Sequence, residues 1–271
     1  NIYISGYTSI NYQISTAHSY QDTLGGNGNA YLTKFNERGD IIWGTYFGLN
    51  TGGSGALNCA CDKEENVYIT GIVDDTGIYT TPDCYKSSNG YGNHSFLAKL
   101  DSACHLKWST YFGGDSADFA YGVTCDDSSN VYITCLTNSA NGIASPGAHQ
   151  TSLGGGESDA FLAKFTATGA LQWSTYYGGT SVDAGNGVAF DGVGNIWLTG
   201  YTFSPSGIAT TDGYQVAGAG SSDGFIARFS EAGELSWGSY YGGNSTDEGT
   251  SIATNGTGTI YFTGYTASPH N

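Results

Sequence analysis

The chain has 271 residues, of which 43 are glycine, 21 tyrosine, 12 phenylalanine and 5 tryptophan, whereas only 4 are proline and none is methionine. This composition is typical of many short aromatic strands joined by glycine turns, and it disfavours helix almost everywhere. Eight basic residues against 24 acidic residues give a formal charge of −16, which disfavours binding to nucleic acid or to an anionic lipid surface. No apolar run is long enough to cross a membrane, so we expect no membrane insertion.

Four copies of one pattern follow one another along the chain, with a period of about 65 residues. Each complete copy contains four runs of strand type, which we call A, B, C and D in chain order. Between residues 184 and 247 these runs read GVAFD, NIWLTG, DGFIARF and LSWGSYYGG. Short turns join A to B and C to D, as in β-hairpins. Every D run carries one tryptophan at the same place: Trp43, Trp108, Trp173 and Trp237.

Four antiparallel strands per repeat predict a blade of a β-propeller. We therefore predict an all-β fold, a propeller or part of one, built of four-stranded antiparallel blades. The repeat units span roughly residues 1–55 (strands B to D), 56–118, 119–183, 184–247 and 248–271 (strands A and B). A B-type run stands at both ends, NIYISGYT and TIYFTGYT. We therefore expect an open array of four repeats plus the start of a fifth, which continues on both sides in the natural protein.

The segment PGAHQTSLGGGESDAFLAKFTATGALQWSTYYGG at 146–179, with GVAFDGVGNIWLTGYT after it, closely resembles the β-propeller repeat family called SBBP. The resemblance extends over essentially the whole chain. It implies a bacterial protein, secreted or at the cell surface, in which propeller repeats accompany adhesion modules, and it implies no reaction. In the second repeat Gly53 stands in place of the aspartate found at 118, 183 and 247, and Cys104 stands in place of a turn glycine.

Four of the eight basic residues occupy one position in the middle of strand C: Lys34, Lys99, Lys164 and Arg228. A charged side chain inside a stack of sheets needs a partner, because burying an unpaired charge costs several kcal/mol. We therefore interpret these residues as structural. We expect each stem to be shielded from water and each head group to contact an acidic side chain or a carbonyl. We interpret the tryptophans of strand D as structural too.

The links from strand D to the next strand A carry oxygen ligands at repeated positions: Asp118, Asp183 and Asp247, with Asp115 close by. Oxygen-rich glycine loops can hold calcium, which makes these four carboxylates candidate calcium ligands. However, the spacing matches neither an EF-hand nor a calcium-binding nonapeptide, and aspartate in a tight turn commonly caps its own backbone. The alternative is a structural role without any cofactor.

Two cysteines, Cys84 and Cys104, are peculiar to the second repeat, since the matching positions elsewhere are Ala148 and Gly169. Two unusual residues in one copy suggest a compensating pair. We therefore expect a disulfide, provided that the link between strands B and C folds back to within about 7 Å of the C–D turn. The other cysteines lie in A or B runs and are expected to be free: Cys59, Cys61, Cys125 and Cys135.

The link between strands B and C, about 20 residues in every copy, carries an aromatic or histidine residue at one place. These residues are the candidate ligand contacts: Tyr20, Tyr85, His149 and Tyr214. Loops that differ between copies on nearly uniform strands are typical of a rigid scaffold with variable contacts. The leading hypothesis is a non-enzymatic binding or adhesion scaffold, extracellular or at the cell surface, whose partner is a protein or a glycan.

Catalytic motifs are weak. The segment GSSDG at 220–224 fits the nucleophile pattern GxSxG but lies in a loop before strand C, and no metalloprotease, phosphate-loop or dinucleotide motif is present. A carbohydrate-active enzyme, a lyase or hydrolase, would need acidic residues that converge from several blades. A lectin-like module would present several equivalent aromatic pockets. We predict a protein without enzymatic activity and keep these two functions as alternatives.

Overall fold

The computed structural model describes residues 1–11, 14–26, 28–49, 53–74, 78–88 and 93–269. These residues form seventeen β-strands: β1 Ile2–Thr8, β2 Asn29–Phe35, β3 Ile41–Phe47, β4 Ser54–Cys61, β5 Val67–Asp74, β6 Asn93–Leu100, β7 Leu106–Phe112, β8 Asp118–Cys125, β9 Val131–Thr137, β10 Asp159–Phe165, β11 Leu171–Tyr177, β12 Asp183–Phe190, β13 Asn195–Thr202, β14 Asp223–Ser230, β15 Leu235–Tyr241, β16 Asp247–Thr254 and β17 Ile260–Thr266. Within the described ranges no helix is long and apolar enough to span a membrane.

Three four-stranded antiparallel sheets occupy the middle of the chain, β4 to β7, β8 to β11 and β12 to β15. In each sheet every strand is hydrogen-bonded to its neighbours in sequence. A three-stranded sheet, β1 to β3, precedes them, and a two-stranded sheet, β16 and β17, follows. We call the five sheets blades 1 to 5. Their strand types are B to D, three times A to D, and then A and B, which confirms the predicted fold class of propeller blades.

The blades pack face to face in chain order. The A strands β4, β8, β12 and β16 lie against one another in sequence, and β1 lies against β4. Strand C has both of its faces covered, and in β10 every residue is buried. This two-sided burial explains why the C runs are apolar almost throughout instead of alternating with polar residues.

Aromatic rings from neighbouring blades meet at each interface. Phe47 at the end of β3 stacks on Phe96 of blade 2, with ring centroids 5.5 Å apart. The contact recurs at the next two interfaces: Phe112 with Phe161 at 4.8 Å, and Tyr177 with Phe225 at 5.4 Å. Such a pair contributes about 1 kcal/mol beyond the burial of its apolar area, so one repeated contact stabilises every interior interface.

The end blades each have an uncovered face. In β1 the side chains of Ile2 and Ile4 are 55% and 46% exposed, whereas their counterparts Val67 and Ile69 in blade 2 are fully buried. At the other end, β16 and β17 form a sheet of their own, separate from β1 to β3. The first and last sheets of the described chain are therefore not joined into one blade.

The strand register corrects one position of the sequence comparison. Asp118, Asp183 and Asp247 are the first residues of their A strands, and the first residue of β4 is Ser54. Ser54, and not Gly53, therefore stands where the other blades carry aspartate. The comparison is wrong by one residue because the D–A link before β4 has six residues, whereas each of the other D–A links has five.

Candidate functional site

A buried polar cluster inside blade 2 accounts for the cation of its strand C. Lys99 is 8% exposed, and its Nζ lies 3.4 Å from Asp62 Oδ2 and 5.0 Å from the centre of the Tyr68 ring. Asp62 also accepts hydrogen bonds from the Asn66 side chain and the Tyr68 hydroxyl. Burial alone would raise the pKa of Asp62, but the bonds from Asn66 and the charge of Lys99 hold it below its ordinary value. The carboxylate therefore stays ionised and neutralises the buried lysine.

The other three cations lie over the aromatic ring at the same place in strand B: Lys34 over Tyr3, Lys164 over Tyr132 and Arg228 over Trp197. Two of them have acidic partners: Lys34 with Glu65 at 3.3 Å, and Lys164 with Asp126 at 3.8 Å and Glu231 at 3.5 Å. Arg228 differs, since it is half-buried and its Nε donates to Ser236 Oγ at 2.9 Å. The lysines thus have the partners expected of structural cations, and the arginine has a hydroxyl instead.

The tryptophan of strand D links each blade to the next. Trp108 Nε1 donates to the carbonyl of Ala167, in the C–D turn of blade 3, at 2.9 Å. The same bond joins Trp43 to Ser102 at 3.0 Å and Trp173 to Glu231 at 2.9 Å. Lys99 Nζ points at the Ala167 carbonyl as well, at 3.5 Å. The C–D turns of blades 2, 3 and 4 therefore each receive a donor from the preceding blade.

The expected disulfide between Cys84 and Cys104 is wrong, because both thiols are free. Cys104 lies in a C–D turn and is buried in the same cluster as Trp43 of blade 1. Any side chain at this position of the turn faces the preceding blade: a Cβ added at the matching Gly169 would lie 2.8 Å from the Trp108 ring. Cys84 lies in the B–C link, which is hydrogen-bonded along strand D of its own blade. Cys104 therefore packs on the preceding blade, whereas the link that carries Cys84 follows a strand of its own blade.

The repeated aspartates of the D–A links are buried: Asp118, Asp183 and Asp247. Asp183 Oδ2 accepts from Gly179 N at 2.7 Å and Ser204 Oγ at 2.9 Å, and its Oδ1 accepts from the Thr202 hydroxyl. Calcium needs six or more oxygen ligands around one point, whereas these carboxylates lie one per interface and bind their own loops. No group of three His, Cys, Asp or Glu side chains in the described chain could hold a metal ion. The geometry therefore does not support calcium at these positions.

A second carboxyl group faces Asp183, and the sequence analysis missed it. Asp159, the first residue of β10, is 0% exposed, and a Cβ added at Gly178 would lie 2.5 Å from Asp159 Cγ and 2.7 Å from Asp183 Oδ2. Asp159 Oδ2 accepts from Gln150 Nε2 at 2.7 Å and Gly154 N at 2.8 Å, while Oδ1 has no hydrogen-bond partner among the described residues. Burial raises the pKa of Asp159 to about 7, with a further contribution from Asp183.

All four interfaces between successive blades of the described chain have a polar pair at this place: Asn29 with Ser54, His94 with Asp118, Asp159 with Asp183, and Asp223 with Asp247. All eight side chains are buried. Asn29, His94 and Asp159 are the first residues of the C runs NAYLTKF, HSFLAKL and DAFLAKF, so the sequence shows that this position is polar in each blade. Only the packing of the blades shows which residue of the next blade each of them contacts. Because they are buried, these pairs cannot contact a substrate.

The candidate ligand contacts of the B–C links differ in what covers them. Tyr20 packs on Phe47 and on the buried cluster that includes Phe96 of blade 2. His149 packs on Tyr177 of its own blade and on Phe229 of the next, so both rings lie at blade interfaces. Tyr85 packs on Phe112 and Phe165 but remains 41% exposed. Tyr214 is 82% exposed.

One pocket brings Tyr85 together with Asp115. It has a volume of about 430 Å³ between blades 2 and 3, and it is lined by Tyr85, Lys86, Gly113, Gly114, Asp115, Asn141 and Gly142. Asn141 donates to Asp115 from its side chain at 2.7 Å and from its backbone at 3.2 Å. These bonds hold the pKa of Asp115 below its ordinary value, so the carboxylate is ionised at neutral pH. Lys86 Nζ donates to Gly113 O at 2.7 Å, and burial lowers its pKa.

Comparison with known proteins identifies the repeat. A family model described as a β-propeller repeat, SBBP, matches residues 107–143 and 172–205. Two segments of this chain match the SBBP repeat. No curated protein matches the chain. Fourteen chains of solved structures match, and one is a protein of unknown function from Bacteroides caccae, at 10% identity and a TM-score of 0.46. The match covers 87% of this chain and 61% of that chain.

Each matched SBBP segment runs from strand D of one blade through strands A and B of the next. The first contains Trp108, the link aspartate Asp118 and the turn aspartate Asp126; the second contains Trp173 and their counterparts. The SBBP unit therefore spans a blade interface, and the residues it includes form the contacts between and within blades. Tyr85 lies outside both segments.

Blade 4, the last sheet with four strands in the described chain, has an open aromatic face. A cavity of about 460 Å³ is lined by Trp197, Tyr214, Ile226, Arg228, Trp237, Ser239, Tyr240, Tyr241, Ile260 and Phe262. Tyr241 is 55% exposed there. In the interior of the array, this face of a blade is covered by strands C and D of the next.

Proposed function

We propose that these SBBP repeats form a non-enzymatic binding scaffold outside the cell, and that the Tyr85–Asp115 pocket contacts a glycan ligand. The observation that carries the proposal is the pocket itself, where an exposed ring lies beside an ionised carboxylate and an amide. A protein partner is the second possibility, and the formal charge of −16 favours one with a basic surface.

The pocket has the chemistry that a sugar requires. A pyranose has an apolar face of C–H groups and a rim of hydroxyl groups. Tyr85, held against Phe112 and Phe165, offers a flat ring for that face. Asp115 has further lone pairs for hydroxyl donors. A few precisely placed polar groups around an aromatic surface are typical of ligand sites. Because the Tyr85 ring is already held by its neighbours, binding a ligand costs less side-chain entropy.

The position of the acid pair favours binding without turnover. A carboxyl group with a pKa near neutrality, such as Asp159, is typical of a general acid. Asp159 and Asp183 are both 0% exposed, however, and neither lines the pocket. Within the pocket Asp115 is the one carboxylate among the lining residues, so a pair of acids for glycoside hydrolysis is lacking there.

Binding of the purified protein to a panel of polysaccharides and bacterial surface preparations tests this function. We expect Tyr85→Ala and Asp115→Ala to abolish retention and Tyr79→Ala, an exposed tyrosine away from the pocket, to preserve it. Asp115 is an exposed loop residue, so its replacement should leave folding intact. Chelator should have no effect. Retention by both pocket variants would refute the pocket, and release of oligosaccharide products would refute the non-enzymatic function.

A further inference from the structure

Lys86 occupies a position that carries glutamine in the other three B–C links. Its backbone N–H donates to a hydroxyl of strand D at 2.9 Å, as does that of Gln150 in blade 3. The amide of Gln150 bonds at both ends, since Oε1 accepts from Gly178 N at 3.0 Å and Nε2 donates to Asp159 at 2.7 Å. The other two glutamines also accept from the start of the D–A link: Gln21 and Gln215. Glutamine is therefore sufficient to hold this link, and the lysine of blade 2 adds a charge.

The Lys86 ammonium is held in the wall of the Tyr85–Asp115 pocket. Its Nζ donates to Gly113 O at 2.7 Å and to Gly114 O at 3.4 Å, and both glycines line the pocket with it. An ammonium group has three N–H donors, so these two bonds leave one for a ligand. Beneath the pocket, Asp118 accepts from Gly114 N at 2.9 Å, and its charge opposes the lowering of the Lys86 pKa by burial.

No other basic side chain lies at the same end of the blades. We call the end that carries the B–C and D–A links the link end; all eight lysines and arginines fall within the described ranges. The four cations of strand C lie toward the opposite end, where Lys99 Nζ contacts a C–D turn. Three more lie in or beside the turns there: Arg38, Lys63 and Lys107. An anionic group that arrives at the link end therefore has one cation to bind, and this cation lines the pocket.

The pocket pairs this cation with a carboxylate. At the interface between blades 3 and 4, uncharged residues stand in place of Lys86 and Asp115, namely Gln150 and Thr180. A ligand that satisfies both charged groups needs an anion for the ammonium and hydroxyl donors for Asp115. A uronic acid carries both on one ring, with an apolar face for Tyr85. A neutral sugar would leave the remaining ammonium donor with a weaker, uncharged acceptor.

We propose that the ligand of this pocket is an acidic glycan, and that Lys86 selects it by binding the carboxylate of a uronic acid residue. The inference rests on the proposed glycan-binding function and adds the charge of the ligand. The formal charge of −16 repels an anionic polymer at long range. At about 0.15 M salt, however, charges more than about 8 Å apart are largely screened, whereas a direct contact with a half-buried ammonium is screened much less.

Paired oligosaccharides test the charge of the ligand. Oligomers of galacturonate, glucuronate and mannuronate are compared with the same oligomers after chemical reduction of their carboxyl groups, by calorimetry at about 0.15 M salt. We expect wild-type protein to bind at least one uronate oligomer about tenfold more tightly than its reduced form, because a charge-assisted hydrogen bond is replaced by a neutral one. Lys86→Gln should remove this preference and leave the affinity for the reduced oligomer unchanged.

Controls separate the charge of the ligand from folding and from glycan binding itself. Lys86→Gln introduces the residue of the other three links, so its free energy of unfolding in urea should match that of the wild type. Lys107→Gln, which removes an exposed lysine at the other end of the blades, should bind like the wild type.

Equal affinity of the wild type for both forms of every oligomer would overturn the acidic ligand and leave the glycan-binding function in place. A preference that persists in Lys86→Gln would overturn the role of Lys86. Wild-type protein that binds neither form of any oligomer would refute the glycan-binding function, and this inference with it.

Discussion

Replacing Asp159 by asparagine should stabilise the protein at neutral and alkaline pH. The pKa of Asp159 is raised from 3.8 to about 7 in the folded state. The folded state therefore holds a proton that the unfolded state releases, and the stabilisation by this proton is complete below about pH 4 and lost as pH rises through about 7. A shift of this size corresponds to about 4 kcal/mol. Asparagine does not ionise, so the stability of the variant relative to the wild type should rise by up to about 4 kcal/mol between the acid end and pH 7.

Urea unfolding of wild type and Asp159→Asn, followed by tryptophan fluorescence between about pH 4 and pH 8, measures this difference. The difference should be near zero at the acid end, grow with pH and level off above about pH 7. Asparagine is compatible with the site, because Asn29 occupies it in blade 1. Asp22→Asn, which removes an exposed carboxyl, controls for net charge. A difference that does not change with pH, or that favours the wild type at pH 8, would refute the buried acid pair.

Three further predictions concern the interfaces, each checked by the free energy of unfolding in urea. Trp108→Phe should cost about 1–2 kcal/mol because a turn carbonyl loses its donor, and Trp237→Phe at the open face should cost less than half of that. Lys99→Met should cost about 3 kcal/mol, since it leaves a buried carboxylate without its cation; an effect below 1 kcal/mol would show the pair to be dispensable. Gly178→Ala should cost about 2 kcal/mol or more because its methyl group meets two buried carboxyls, whereas Gly55→Ala, with its nearest neighbour 3.8 Å away, should be close to neutral.

The fold could be predicted because the sequence contains four copies of the repeat, and comparing them shows which positions of each strand keep the same type of residue. Trp43 and its three counterparts fix the period, and a cation in the middle of an apolar strand requires a partner whatever the details of the packing. The position of Ser54 could not be fixed in this way, since the loop before it varies in length and composition. Nor could the pairing of Asp159 with Asp183, because the two residues lie on different blades and meet only when the blades stack.

The cysteine prediction failed for a related reason. It treated Cys84 and Cys104 as members of one repeat, whereas a C–D turn packs on the preceding blade and a B–C link packs on its own. Residues that are unusual in the same repeat therefore need not be neighbours. The Tyr85–Asp115 pocket shows the converse, since its residues come from three links: the B–C link of blade 2, the D–A link that follows it and the B–C link of blade 3. Sequence identified both residues as candidates, but for separate roles.

The uniform contact between blades has a consequence for how such a protein can change over time. Blades 2 and 3 each donate from a tryptophan to the next blade and accept on a turn carbonyl from the preceding one, so a gene that gains or loses a repeat of about 65 residues still encodes matching surfaces. The buried polar pairs limit this freedom. His94 lies against the carboxylate of Asp118, whereas Asp159 lies against Asp183, so an exchange of blades would bring different polar partners together. The blades are alike in shape but differ in the polar residues that meet at their interfaces.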